Sequence, residues 1–148
     1  MSALKIRKNI VKNVKRIVIK IGSGVLTNGK DKIDEAVIKK IVLQTSLLVK
    51  KGCEVLIVSS GSIAAGKTEL GIKKILTDIP SKQAAAAVGQ SHLIGYYEKY
   101  FKKEKQKTAQ VLLTHDDLSN RRRYLNARNA LMTLLSFHVI PVINENDM

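Results

Sequence analysis

The chain has 148 residues, 45% of them hydrophobic, with 26 lysines and arginines against 12 aspartates and glutamates, a formal net charge of +14. That length suits one domain able to bury roughly 70% of its unfolded surface. No apolar run reaches the ~18 residues of a membrane span, and the basic start from Lys5 to Lys15 lacks the apolar segment of a signal peptide, so a cytoplasmic protein with no membrane partner is expected. The single cysteine, Cys53, excludes an internal disulfide and reads as a small core residue. Most of the excess charge is lysine scattered over helix faces, with four tyrosines, two phenylalanines and no tryptophan for stacking. A solvated surface explains this better than a nucleic-acid interface.

After a basic N-terminal extension over 1–14, residues 15–21 read as a strand that is apolar on both faces, as a buried parallel strand requires. Gly22-Ser23-Gly24 turns the chain. Helical periodicity runs over 33–51 through Val37, Ile38, Ile41, Val42, Thr45, Leu48 and Val49, and Gly52 is a natural stop. A second strand is expected over 53–58 and a short helix over 63–70, then a polar connection through Pro80. A long helix over 81–105 carries a small-residue patch, Ala84 to Ala87, where another backbone can pack closely. A strand over 108–113, a helix over 121–137 and a strand over 139–143 complete the order. Alternating strands and helices predict a three-layer αβα sandwich with a mainly parallel sheet.

Ligands of such sheets collect beyond the carboxyl ends of the strands. The most informative end is the second, where Val58-Ser59-Ser60-Gly61 runs into a helix. The free amides and dipole of a helix start stabilise a small anion there. Gly61 to Thr68 also satisfies the phosphate-loop pattern of Gly, four residues, then Gly-Lys-Thr. However, Ile63, Ala64 and Ala65 favour helix from the start, which places Lys67 about a turn inside it.

Lys20 ends the first strand, either to neutralise phosphate oxygens or to extend its head to water. Asn144 to Asp147 puts two amides and two carboxylates at the mouth of the fourth strand, a set suited to an ammonium group or to an ordinary polar turn. Thr114 and Asp117 form a capping-box pattern, and His115 beside Asp116 and Asp117 lacks zinc-type spacing. His92 and His138 have no recognisable partners, and Arg121-Arg122-Arg123 reads as a solvated face or subunit contact.

Five blocks in order closely resemble the glutamate 5-kinase family of the amino acid kinase superfamily. They are Lys20 to Thr27, Val58 to Gly66, Lys82 to Ser91, Arg123 to Asn129 and Pro141 to Asp147. The resemblance implies ATP-dependent phosphorylation of the side-chain carboxylate of L-glutamate, the first step of proline biosynthesis, with Mg²⁺ accompanying the nucleotide. It implies that Lys20 contacts the ATP phosphates with amides of Gly22 and Ser23 nearby. Ser60 and Gly61 would hold the glutamate, and Asn144 and Asp147 would contact it. It also implies proline as feedback inhibitor and a homo-oligomer. In this family the nucleotide binds away from Lys67, so the phosphate-loop match is accidental. Gly24 stands where the family often has serine, and His115 where it usually has arginine. Family members extend beyond the point matching Met148 into a nucleotide-binding half. The resemblance therefore makes 15–148 the amino-acid-binding half of a kinase domain and implies no turnover by the isolated chain. The alternatives are a small phosphate-loop NTPase using Gly61 to Thr68 and a basic nucleic-acid-binding module.

Overall fold

A computed structural model of the chain describes residues 13–29 and 32–146. The basic extension expected over 1–14 lies outside the described residues except for its last two positions, and so does Asp147. Four strands form one parallel sheet in the order β1-β2-β4-β3: β1 (Arg16–Ile21), β2 (Glu54–Ser59), β3 (Lys107–Leu113) and β4 (Val139–Glu145). The helices between them are α1 (Ser23–Leu26), α2 (Glu35–Lys50), α3 (Ser62–Glu69), α4 (Ile79–Lys103), α5 (His115–Ser119) and α6 (Arg121–Ser136).

Strand order decides which helix covers which face. The chain moves one way along the sheet from β1 to β2 and on to β3, then returns inward to β4. Right-handed crossovers therefore put α2, α3 and α4 on one face and α6 on the other. The alternation of side chains agrees. Ile21, Ile57, Ile140 and Val142 pack with Ile38 and Val42 of α2, Ala65 of α3, and Leu93, Tyr97 and Phe101 of α4. Arg16, Val18 and Leu56 turn the other way, towards Tyr124, Leu131 and Leu135 of α6. The two central strands are buried on both faces, whereas Val18 on edge strand β1 is 62% exposed.

Central β4 carries Pro141, which has no N–H to donate. Its ladder with β3 spans all seven residues, but pairing with β2 is confined to Ile57 with Val142 and Val58 with Ile143, beginning just past the proline.

Helix boundaries follow from side-chain capping. Asp34 caps α2 by accepting from the amide of Ala36, and Asn120 caps α6 by accepting from those of Arg122 and Arg123. Asp78 caps α4 by accepting from Ser81, so Pro80 belongs to the first turn of that helix rather than to the connection before it. A proline costs nothing there, because its missing N–H would have no partner anyway. The capping box at Thr114 and Asp117 is present, with both reciprocal bonds formed, and the Thr114 amide and hydroxyl, both donating to Asp117 Oδ2, hold its carboxyl below the usual range. It opens α5, a helical turn not anticipated from sequence, as is α1 where a simple turn is expected.

Helices α3 and α4 meet backbone to backbone. A Cβ on Gly66 would lie 1.8 Å from the carbonyl oxygen of Ala85, and one on Gly89 would lie 1.8 Å from that of Ser62. The alanine patch of α4 thus receives the backbone of α3, as its composition predicts. Across the other side of α4, Glu35 of α2 accepts from Lys99 and Tyr100 at 2.7 Å each, which holds its carboxyl below the usual range. All three groups are partly solvated, so this contact registers the helices more than it stabilises them.

Gly66→Ala and Gly89→Ala are each expected to destabilise the chain by about 3 kcal/mol, the upper part of the overpacking range. Gly95 also lies within α4 but has open space around its α-carbon. Gly95→Ala is therefore expected to stabilise by about 0.5–1 kcal/mol through helix propensity. Urea denaturation midpoints of the three variants check the ranking. A Gly66→Ala protein as stable as Gly95→Ala would show that the helices do not meet this closely.

Candidate active site

Strand β2 ends at Ser59, and the chain turns into α3 through Ser60 and Gly61. The amide of Ser60 donates to the carbonyl of Ile21 at 3.0 Å, which brings the ends of β1 and β2 level. Gly61 adopts φ +113° as the N-cap of α3, a left-handed conformation that favours glycine, and a side chain there would press on Leu26 at 3.1 Å. Helix begins at Ser62, so Ile63 to Ala65 are helical and Lys67 lies a turn inside. This is not the open cradle of a phosphate loop, and the NTPase alternative loses its structural basis.

Beyond these strand ends lies a cavity of about 500 Å³. Its walls come from two strand–helix junctions and one strand end: Ser23, Gly24 and Thr27 after β1, Ser60 to Ala64 with Lys67 after β2, and Asn144 with Glu145 at the end of β4. Its lining combines groups of opposite preference. The N-terminus of α3 and Lys67 favour anions, and Asn144 and Glu145 offer oxygen acceptors.

Two hydrogen bonds from α4, one buried and one half-buried, reach these strand ends. Tyr97 and Ser59 share a 2.9 Å hydroxyl–hydroxyl bond beneath the end of β2, and Ser59 also donates to the carbonyl of Ser60 at 3.1 Å. Burial pushes the Tyr97 phenol up to about 12, with the Ser59 bond acting the other way. At the end of β4, Asn144 Nδ2 donates to Gln90 Oε1 at 2.6 Å.

Of the residues singled out from sequence, the structure gathers Ser23, Ser60, Gly61 and Asn144 around one cavity. Gly22 stands beside it as the N-cap of α1, at the surface. Lys20 does not share the cavity wall. It is exposed and alternates with Arg16 and Val18, so it stands on the face of the sheet that α6 covers further along. Asn144 and Glu145 belong to β4 itself, not to a turn after it. The end of β3 contributes no wall to this cavity, and its capping box serves α5. Arg121, Arg122 and Arg123 are exposed, as a solvated face requires.

The wall also includes Thr27, to which the sequence assigns no individual role, Glu145, read only as one of the two carboxylates at the mouth of the fourth strand, and Lys67, read as part of an accidental motif match. Lys67 is only 9% exposed. Its signal was present, because Ile63 and Ala64 lie one turn before it and share its helix face. A small effect of removing its side chain, which an accidental motif match implies, no longer follows from its position. Among the described residues no group of three or more His, Cys, Asp or Glu side chains is placed to hold a metal ion, and no helix is long and apolar enough to cross a membrane.

Comparison with known proteins places this geometry. The model of the amino acid kinase family matches residues 15–148. The glutamate 5-kinase of Geobacter metallireducens is 56% identical over 141 residues, covering 95% of this chain and 38% of its own length. That of a Marinomonas species is 55% identical over 144 residues, covering 97% of this chain and 38% of its own. The chain therefore spans a little over a third of the length of the curated relatives it matches.

Because burial raises the Tyr97 phenol, the folded state holds that proton more tightly than the unfolded state does. The contribution is intact below pH 10 and declines as pH rises from 10 towards about 12. Tyr97→Phe is expected to lower Tm by about 2–4 °C at pH 8, the equivalent of one buried hydrogen bond. Above pH 10 its Tm should fall less steeply than that of the wild type. Parallel Tm profiles from pH 8 to 12 would mean the phenol does not titrate with unfolding.

Proposed function

The chain belongs to the amino acid kinase family, and on that premise we propose that its cavity is the L-glutamate site of an ATP-dependent carboxylate kinase producing glutamyl 5-phosphate. The observation that carries this reading is a lining that joins anion-favouring groups, the start of α3 and Lys67, with the oxygen acceptors of Asn144 and Glu145. An amino acid with carboxylates at both ends and one ammonium group matches that combination. The 52–56% identity to proteins named glutamate 5-kinase supports the same substrate.

In this reading Ser60 and Gly61 hold the glutamate at the start of α3, and Asn144 contacts it from β4. Asp147, beyond the described residues, is assigned to the same task. Lys20 and the amides of Gly22 and Ser23 are assigned to the phosphates of ATP. The side-chain carboxylate is already ionised at pH 7, so its oxygen attacks the γ-phosphorus without a general base. One P–O bond forms, the bond to the β-phosphate oxygen breaks, and ADP leaves with the electron pair. The protein's task is then alignment of the two substrates and neutralisation of phosphoryl charge. Mg²⁺ in such reactions is held chiefly by phosphate oxygens. The described residues offer it no cage of their own, so no step is assigned through it. Feedback by proline and assembly into a homo-oligomer belong to the same reading, on the resemblance alone.

Calorimetric titration of the 148-residue chain with L-glutamate tests the site. Saturable binding is expected, and Ser60→Ala should weaken it about tenfold, the effect of one hydrogen bond to a charged group. Lys20→Ala should leave glutamate affinity unchanged, because Lys20 stands outside the cavity wall. An unaltered affinity in Ser60→Ala would remove Ser60 from the site.

A further inference from the structure

We propose that Gln90 is a positioning residue that turns the carboxamide of Asn144 so that its carbonyl oxygen, rather than its NH₂ group, faces the substrate's ammonium group. The inference rests on the glutamate reading of the cavity and adds to it the reason the site takes an amino acid instead of a plain dicarboxylate.

Asn144 is buried at the end of β4, on the face of the sheet that meets α4. Its Nδ2 donates to Gln90 Oε1 at 2.6 Å. A carboxamide has donors at one end and an acceptor at the other. With Nδ2 committed to α4, Oδ1 is the end left for the cavity, whose wall Asn144 forms beside Glu145. An ammonium group has donors only, so it requires an acceptor there. A flipped amide would set donor against donor and leave an ammonium hydrogen unpaired in a desolvated place, which costs more than an absent hydrogen bond.

Gln90 does this from behind. It stands in the wall of a second cavity of about 260 Å³, with Ala86, Ala87 and Gln110, and acts on the substrate only through Asn144. Its backbone is tightly set, because the preceding residue, Gly89, lies against the backbone of Ser62 and Gly66.

The test compares L-glutamate with glutarate, the same dicarboxylate without the ammonium group, titrated into the 148-residue chain and two variants. Gln90→Met keeps the volume but removes the acceptor. It is expected to lose about tenfold in glutamate affinity, the scale of one charge-assisted bond, with glutarate affinity unchanged. Gln90→Glu can only accept, so it enforces the same orientation and should keep the wild-type preference. A wild-type preference in Gln90→Met, or its loss in Gln90→Glu, would overturn the inference. If the wild type binds neither ligand, the glutamate reading fails by itself. Hydrogen exchange of the Asn144 side-chain amide, followed by NMR, then decides the role of Gln90. Slow exchange in wild type and Gln90→Glu with fast exchange in Gln90→Met supports it, and equal rates in all three overturn it.

Discussion

The contact between α3 and α4 through Gly66 and Gly89 is the constraint on which the rest of the structure depends. Two helices meet backbone to backbone with no side chain between them, each glycine against a carbonyl of the other helix. Because α3 cannot slide or rotate without collision, its N-terminus is held at the ends of β1 and β2. Gly61, Ser62 and Lys67 then take up places along one cavity. A looser interface filled by large side chains would leave the direction of α3, and so the position of its amides, to the softness of packing.

From that contact α4 acts as a rail beneath the site. Gly89, Leu93, Tyr97 and Phe101 recur at four-residue intervals, all buried. This stripe anchors the helix to the sheet, with the rings of Tyr97 and Phe101 stacked at 6.5 Å. Two polar residues on the same helix reach the strand ends: Tyr97 to Ser59 and Gln90 to Asn144. The hydrophobic packing of α4 and the orientation of the cavity's polar groups therefore share one element. The polar bonds are satisfied, which is the condition under which buried polar groups add order instead of cost.

The reaction proposed for this cavity would need little from titratable side chains. A carboxylate nucleophile arrives ionised, and a developing phosphoryl charge calls for donors fixed in advance. Helix amides and hydroxyls meet that need, while a carboxamide held by a neighbour can offer its oxygen to an ammonium group. The exposed lysines and the cluster from Arg121 to Arg123 stand away from the cavity.

The sequence by itself determined the layer architecture, because strand and helix periodicities and capping residues are local signals. Alternating segments implied a parallel sheet. Gly52, the capping box at Thr114 and the alanine patch each specified backbone behaviour within a few residues. The residues after β1 and β2 were legible as ligand groups because the carboxyl ends of parallel strands converge. Only the tertiary structure decided which of those groups share a wall. The side of the sheet on which Lys20 stands depends on strand order and on the alternation of β1. The burial of Lys67 depends on how closely α3 meets α4, and the bond from Gln90 to Asn144 joins residues 54 positions apart. Pairings across that distance are set by how helices dock on a sheet, and no local pattern encodes them.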